Sequence, residues 1–229
     1  RLRVTTAVAA QSDHVAEFTL AAIIFAAKKV LPLASWLRTN RDDRIHARIA
    51  FADASLSGAT IGIVGASTIG RRVISMLKAF PVNVLLSDPM ISELEAEGLG
   101  VQKRDLEDLF AASDVVSLHA PLLEKTINMI SAPQLRLLRD GATFINTARG
   151  QIVDQEALIA ELASARIYAM LDVTYPEPLP QDSPLYAMPN VLLTPHIAGG
   201  FTKDLRDEGD VITSEIERFA RDQKLLYEV

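Results

Sequence analysis

The feature that most constrains the fold of this chain is a regular alternation, from residue 60 onward, of short β-branched runs with stretches that suit helices. Strands that alternate with helices in this way are typical of βαβ units, in which the strands form a parallel sheet. We therefore expect an α/β fold with a doubly wound parallel sheet. The predicted strands lie at 60–64, 82–86, 114–118, 142–146, 167–171 and 191–194, with a short edge strand expected within 101–105.

Helical periodicity marks both ends of the chain and the stretches between the predicted strands. From Ser12 to Val30 apolar side chains recur on one face, which predicts one long helix. Ser12 and Asp13 are suitable caps for its start, and Pro32 is the expected stop. A terminal helix is expected at 202–223, with an apolar face formed by Leu205, Ile212, Ile216 and Phe219. Other helices are expected at 71–80, 105–113, 133–141 and 153–164.

The composition limits the functions that the chain can have. The chain has 229 residues, of which 49% are hydrophobic, so it can bury a sizeable core in one domain or slightly more. A net charge of −6 gives no overall attraction to nucleic acid or to an anionic membrane, so a small molecule is the expected partner. The chain lacks cysteine, which excludes disulfides and thiolate chemistry and is compatible with the cytoplasm, the compartment we expect. The apolar stretch 18–27 is about half of the ~20 residues of a membrane span, so we interpret it as a buried helix.

The turn after the first predicted strand nearly matches a dinucleotide-binding fingerprint. Gly65, Ser67 and Gly70 occupy the three fingerprint positions, directly after a strand and directly before a helix. The two glycines permit the tight turn and the close packing of helix on strand, whereas Ser67 stands where the pyrophosphate approaches the backbone. We expect binding to survive, because the Ser67 hydroxyl can donate to phosphate and the helix N-terminus presents free N–H groups. Taken alone, the turn is equally consistent with an ordinary connection in an α/β protein.

Asp88 provides a second cofactor signal. It ends the next predicted strand, 18 residues after Gly70, close to the ~20-residue offset at which an acid meets the adenine ribose. A carboxylate accepts hydrogen bonds from both ribose hydroxyls and repels a 2′-phosphate, so NAD is favoured over NADP. The alternative is that Asp88 only forms a turn before Pro89. Together, the turn and the acid favour a dinucleotide-binding protein.

Side chains suited to substrate binding and to proton transfer follow three of the predicted strands. They lie at the edge of the sheet where such folds bind ligands. Arg149 follows one strand, Asp172 and Glu177 follow the next, and His196 follows the last. Arginine offers a planar fork for a substrate carboxylate, histidine titrates near neutral pH, and an acid beside the histidine would orient its ring. Each residue alone is better explained as an ordinary loop residue, but together, beside a dinucleotide fingerprint, they favour an active site. His119 is expected to shape the cofactor rim, and no metal site is expected from the spacing of His and acidic residues.

Seven segments of the chain together resemble the coenzyme-binding domain of the D-isomer-specific 2-hydroxyacid dehydrogenases, a family that includes phosphoglycerate, glycerate, hydroxypyruvate and D-lactate dehydrogenases. The segments are, in order, AEFTLAAIIFAAKK, GIVGASTIGRRV, SDP, HAPLLEKT, FINTARGQIVDQEAL, LDVTYPEPLP and NVLLTPHIAGG. The resemblance implies a Rossmann NAD-binding domain over residues 1–200 and a C-terminal helix over 201–229. That helix would return to a flavodoxin-like substrate domain that is mostly missing. Because the first residue is Arg1 rather than Met, we expect the chain to be a piece of a longer protein.

The resemblance also implies roles for individual residues. His196 would be the acid/base, Glu177 its partner, and Arg149 the group that binds and polarises the 2-oxo acid. Asp88 would bind the adenine ribose and Asp172 the nicotinamide carboxamide. The remaining cofactor contacts would be Gly65, Ser67, Thr68, Ile69 and Gly70 at the pyrophosphate turn, Ala120, Pro121 and Thr126 along the cofactor, and Thr147 and Ala148 on the nicotinamide side.

The implied activity is NAD-dependent transfer of a hydride between nicotinamide and a D-2-hydroxy acid or 2-oxo acid. Ser67 and Thr68 depart from the family pattern, in which glycine and often arginine stand, and this departure bears on cofactor affinity. Glu177 is the residue of the hydroxyacid branch and disfavours formate as substrate. The charged segment 35–58 resembles the arm through which these domains form homodimers, although a mobile loop is an alternative. Two other functions stay open, namely an NAD-sensing regulatory protein like the corepressors that share this fold and a Rossmann enzyme with different chemistry.

Overall fold

A computed structural model describes residues 3–41, 44–200 and 202–228, and within these residues the strands form one parallel sheet. The order is β3-β2-β1-β4-β5-β6-β7, of which the first six strands follow the order of the doubly wound dinucleotide-binding fold. This topology confirms the predicted fold class. The strands are β1 (Thr60–Val64), β2 (Asn83–Ser87), β3 (Gln102–Lys103), β4 (Val115–Leu118), β5 (Thr143–Asn146), β6 (Tyr168–Leu171) and β7 (Val191–Leu193).

Helices cover both faces of this sheet. Ile61 and Ile63 of β1 point to one face, where they join a buried cluster with side chains of α1 and α4. Phe144 of β5 and Leu118 of β4 point to the other, where α6, α7 and α8 pack. Because both faces are covered, the carboxyl edge of the sheet is where loops can present functional groups. The helices are α1 (Val8–Ala27), α2 (Val30–Thr39), α3 (Arg44–Ala50), α4 (Thr68–Leu77), α5 (Glu93–Leu99), α6 (Leu106–Ala112), α7 (Ala132–Leu137), α8 (Gln155–Ala163) and α9 (Thr202–Ala220).

The first helix differs from the prediction at both ends. Ser12 and Asp13 were expected as caps but lie inside α1, which begins four residues before Ser12. The helix ends at Ala27, where Lys29 adopts a left-handed backbone with φ 52° and its Nζ donates a hydrogen bond to the carbonyl oxygen of Gly141 at 2.7 Å. Pro32 then lies in the first turn of α2, where its missing N–H breaks no helical hydrogen bond. The expectation that Pro32 stops the helix was therefore wrong.

The break between α1 and α2 also bears on membrane insertion. Of the residues described, no single helix is both long enough and apolar enough to cross a membrane. The segments Gln11–Ala27 and Val30–Arg38 reach that length and composition together, with a bend of 55° between them. The buried side of α1, which includes Ile23, packs in the core of the sheet.

The predicted arm at 35–58 contains the end of α2 and the whole of α3. The ring of Trp36 meets that of Phe51 edge to face, with 6.2 Å between centroids, so the described part of the segment folds back on itself. Its outer side carries large apolar side chains, of which Leu37, Ile45 and Ile49 are 56%, 72% and 70% exposed. The segment thus presents an apolar surface to its surroundings.

The two ends of the described chain meet beside α9. Thr5 and Glu228 form an isolated antiparallel bridge. The buried carboxylate of Glu215 accepts hydrogen bonds from the Thr5 hydroxyl at 2.9 Å and from the N–H groups of Leu226 and Tyr227. This acid therefore joins the N-terminal segment, α9 and the C-terminal tail.

Candidate active site

The glycine turn after β1 is packed too tightly to admit a side chain at Gly65 or at Gly70. Gly65 has a φ of +97°, and a Cβ there would lie 2.6 Å from the backbone nitrogen of Ala120. A Cβ on Gly70 would collide with the carbonyl oxygen of Gly65. The chain can therefore turn directly from the end of β1 into α4, whose first N–H groups face the edge of the sheet where an anion would bind.

Ser67 takes the middle fingerprint position without blocking the turn. It is the N-cap of α4, and its Oγ accepts a hydrogen bond from the N–H of Gly70 at 3.3 Å. The backbone of Ser67 is extended, so the position does not require glycine. Because Oγ acts as the acceptor here, the hydroxyl proton remains available as a donor. Thr68, by contrast, is exposed at the start of α4.

Two cavities meet at this turn. One, of 470 Å³, lies on the β2 side and is lined by Gly65 and Asp88 among others. The second, of 590 Å³, is the larger cavity of this pair. It contains Ser67 and lies at the ends of β5, β6 and β7. Ala120 and Pro121 line both cavities, so the two lie side by side at the turn, and we call them together the groove. A groove with two halves that meet at a turn between two glycines suits a dinucleotide, whose pyrophosphate would lie at the turn.

Asp88 forms hydrogen bonds with the backbone that the sequence did not predict. Its Oδ2 accepts a hydrogen bond from the N–H of Ala66 at 2.7 Å, and its Oδ1 accepts one from the N–H of Met90 at 2.8 Å. The carboxylate therefore ties the glycine turn to the end of β2. A carboxylate has about four acceptor positions, so Asp88 retains capacity for ribose hydroxyls in the smaller cavity.

Arg149 is presented by a hydrogen-bonded turn at the end of β5. The buried Asn146 accepts a hydrogen bond from the N–H of Ala148 at 3.0 Å through Oδ1 and donates one to the carbonyl oxygen of Arg149 at 3.1 Å through Nδ2. Arg149 itself is exposed and lines the larger cavity. The sequence analysis missed Asn146, although an asparagine at the end of a buried strand is a common turn signal.

His196 and Glu177 form a close pair at the ends of β7 and β6. His196 Nδ1 lies 2.6 Å from Glu177 Oε1, and both side chains are roughly half exposed. His196 lines the larger cavity with Arg149, whereas Glu177 lines a neighbouring cavity of 600 Å³ that also contains His196. The imidazole therefore stands in the wall between the two spaces, with its Nε2 available for proton transfer.

The structure places most of the residues expected at the site along the groove. Thr126 is held in the wall of the smaller cavity, where its hydroxyl donates to the carbonyl oxygen of Pro121 at 2.7 Å. Thr147 is tied to α1 by a hydrogen bond of 2.9 Å between its hydroxyl and that of Thr19. Thr68 and Gly70 do not contribute to the walls of the two cavities that form the groove. The expected residues that line the larger cavity are Ser67, Ile69, Ala120, Pro121, Thr147, Ala148, Arg149, Asp172 and His196.

His119 lies in the wall of the larger cavity, and its environment keeps it neutral. Its side chain is buried, and burial lowers the pKa of the ring to about 4 because the charged form loses its hydration. Its Nε2 lies 2.9 Å from the hydroxyl oxygen of Ser117. A ring that stays neutral near pH 7 shapes the groove and does not serve as a proton donor.

Comparison with known proteins decides the family. The family profile described as "D-isomer specific 2-hydroxyacid dehydrogenase, NAD binding domain" matches residues 20–198, well over half of the chain. The chain belongs to this family. It is an NAD-binding domain of the D-isomer-specific 2-hydroxyacid dehydrogenases, and the resemblance predicted from the sequence is confirmed.

Relatives in this family match most of the chain but extend well beyond it. D-3-phosphoglycerate dehydrogenase of Archaeoglobus fulgidus is 35% identical over 207 residues, which are 90% of this chain and 38% of the relative. Glyoxylate reductase of Korarchaeum cryptofilum is 34% identical over 211 residues, which are 92% of this chain and 64% of the relative. The chain thus spans about two fifths to two thirds of the length of these curated relatives.

Solved structures share this fold. The TT0316 protein of Thermus thermophilus superposes with a TM-score of 0.82 at 32% identity and covers all of this chain and 71% of that one. A D-isomer specific 2-hydroxyacid dehydrogenase of Xanthobacter autotrophicus, in complex with NADPH and MES, gives a TM-score of 0.80 at 32% identity, with coverage of 100% and 92%. These matches confirm the Rossmann-like architecture and are consistent with the binding of a nicotinamide cofactor.

Proposed function

We propose that this chain is the cofactor-binding part of an enzyme that interconverts a D-2-hydroxy acid and the corresponding 2-oxo acid. The observation that carries the proposal is the position of His196. It is paired with Glu177 at 2.6 Å and shares a 590 Å³ cavity with Arg149 at the end of the dinucleotide groove. An acid/base group, a carboxylate-binding group and a cofactor groove are the components that this reaction needs.

The chemistry follows from the residues around the larger cavity. A bound nicotinamide would supply or accept the hydride at the carbonyl carbon. Arg149 would bind the substrate carboxylate through its planar guanidinium and polarise the neighbouring carbonyl, because it places positive charge where negative charge develops. His196 would give a proton to the carbonyl oxygen during reduction and take it from the hydroxyl during oxidation. Glu177 would hold the ring by its contact with Nδ1, which leaves Nε2 for the substrate.

The cofactor would lie along the groove with its pyrophosphate at the glycine turn. Ser67 and the first N–H groups of α4 would bind the phosphates, and Asp88 would accept hydrogen bonds from the adenine ribose. A carboxylate at this position favours a free ribose diol, so NAD is the proposed form of the cofactor. The carboxylate's bond to the N–H of Ala66 supports this, because the acid is already fixed beside the turn.

We propose two further properties of the whole protein. The first is that residues 1–200 act as the NAD-binding domain and 201–229 as a helix that returns to a substrate domain. Arg149 and His196 are exposed here, and a second domain would supply the opposing wall that excludes water. The second is homodimer formation through the arm at 35–58, which the exposed Ile45 and Ile49 support.

The test is oxidation of NADH by a panel of 2-oxo acids that includes glyoxylate, hydroxypyruvate and pyruvate, with the natural full-length protein. We expect turnover that falls by about 10²–10⁴ in His196→Gln, because general acid help is lost. In Arg149→Lys we expect a raised KM for the 2-oxo acid with unchanged affinity for NADH. Turnover of His196→Gln at the wild-type rate would contradict the assignment. NADH binding that alters the affinity for another protein, without turnover of any 2-oxo acid, would instead identify an NAD sensor.

A further inference from the structure

Asp172 is a buried acid whose carboxylate accepts all its hydrogen bonds from one loop. The residue follows β6 and is only 3% exposed. Its Oδ1 accepts hydrogen bonds from the Thr194 hydroxyl at 2.6 Å and from the N–H of Ile197 at 2.8 Å, and its Oδ2 accepts one from the N–H of Ala198 at 2.9 Å. These three donors lie on both sides of His196 in the chain. The carboxylate therefore fixes the segment 194–198 at two points that bracket the imidazole.

The backbone of His196 needs this support. Its φ is 54°, in the left-handed region that residues with a Cβ disfavour. Its N–H donates to the carbonyl oxygen of Asp172 at 2.9 Å and is also within 3.0 Å of the carbonyl oxygen of Thr194. The same residue, Asp172, thus binds the loop through its main chain and through both of its carboxylate oxygens.

We propose that Asp172 is a positioning residue that holds His196 in its left-handed conformation, and hence in contact with Glu177, before any cofactor binds. A carboxylate has about four acceptor positions, and the loop occupies three of those on Asp172. A contact with the nicotinamide carboxamide, the role implied by the family resemblance, would use what remains. The proposal rests on the proposed function only in naming His196 as the acid/base, since the hydrogen bonds are formed among the chain's own residues.

The test compares Asp172→Asn with the wild type in the ligand-free protein. Asparagine keeps the size of the side chain but replaces one acceptor oxygen with an N–H₂ donor that faces other donors. We expect amide hydrogen exchange of Ile197 and Ala198 to accelerate roughly tenfold or more, the size expected when a hydrogen bond to a charged acceptor is lost. Thr194→Val removes one hydrogen bond and keeps the carboxylate, so we expect a smaller acceleration that Thr194→Ser reverses.

A second readout reports on the imidazole itself. The chain has four histidines, and the NMR ring signal of His196 is assigned by its loss in His196→Gln. In the wild type, Glu177→Gln should shift this signal, because the two side chains are 2.6 Å apart. In Asp172→Asn, the added Glu177→Gln change should have little effect, because the contact is already lost.

Each outcome bears on the proposal. Wild-type exchange rates and an unchanged response of His196 to Glu177→Gln in the Asp172→Asn protein would overturn it, and a loss of NADH affinity alone would then identify a simple cofactor contact. If circular dichroism shows that Asp172→Asn does not fold, Thr194→Val decides, and exchange that stays at the wild-type rate overturns the proposal. These readouts use no substrate, so they are independent of whether the protein oxidises 2-hydroxy acids.

Discussion

Lowering the pH from 7 to 5 should remove roughly 2 kcal/mol from the free energy of unfolding through His119 alone. In the folded protein this ring is buried in the wall of the larger cavity, and burial lowers its pKa to about 4. In the unfolded chain it regains water and the ordinary value of 6.5. Between these two values the unfolded state binds more protons than the folded state, so stability falls as the pH falls.

The size of the effect follows from the difference between the two pKa values. The difference between 6.5 and about 4 corresponds to about 3 kcal/mol when both states are fully titrated. At pH 5 the unfolded ring is almost fully protonated and the folded ring is largely neutral, so most of this loss has already occurred. The exposed carboxylates are still mainly ionised at pH 5, which separates their contribution from that of the imidazole.

The assay is urea unfolding at pH 7 and pH 5, followed by far-ultraviolet circular dichroism and extrapolated linearly to water. His119→Gln removes the titrating group and should flatten the difference between the two pH values, whatever it does to stability at pH 7. Ser117→Ala is the matched control, because it removes the partner at 2.9 Å but leaves the imidazole buried, so it should keep the full pH-dependent loss. If His119→Gln loses as much stability as the wild type, burial of this ring is not the cause.

Two further predictions concern the groove and the arm. Gly70→Ala should lower NADH affinity at least about tenfold in a fluorescence titration, because the new Cβ collides with the backbone of the glycine turn. Gly209→Ala, where a Cβ meets no atom within 4 Å, is the control, and equal affinities in the two variants would refute this account of the turn. Ile49→Glu should convert the expected dimer to a monomer at micromolar concentration, as measured by light scattering, because it places charge in the apolar arm. Leu94→Glu, at a site that is 77% exposed outside the arm, should leave the mass unchanged, and a wild type that is already monomeric would contradict the proposed interface.

The strands were predicted to within about a residue at each end, because buried β-branched runs carry a strong local signal. The helices were predicted less well. The helix α5, which was not predicted, is only seven residues long and starts with a capping box between Ser92 and Glu95. At the end of α1, Lys29 adopts a left-handed backbone and contacts Gly141 far along the chain. Contacts between residues so far apart in the chain cannot be predicted from local sequence periodicity.

In the candidate site, too, some features follow from position along the chain and others depend on contacts between distant residues. Arg149, Glu177 and His196 were predicted to lie at one edge of the sheet because parallel strands bring their carboxyl ends together there, so position along the chain was enough to place them. The role of Asp172 in holding the His196 loop depends on hydrogen bonds between residues 22 to 26 positions apart. Such bonds depend on which strands are neighbours in the sheet and on the register between them. The local sequence pattern predicts neither the strand order nor the register.

The bridge between Thr5 and Glu228 has a topological consequence. Thr5 and Glu228 lie side by side, and the carboxylate of Glu215 forms hydrogen bonds with both segments. The described path therefore begins and ends at one place on the fold, so polypeptide attached before Thr5 and after Glu228 would depart from the same side.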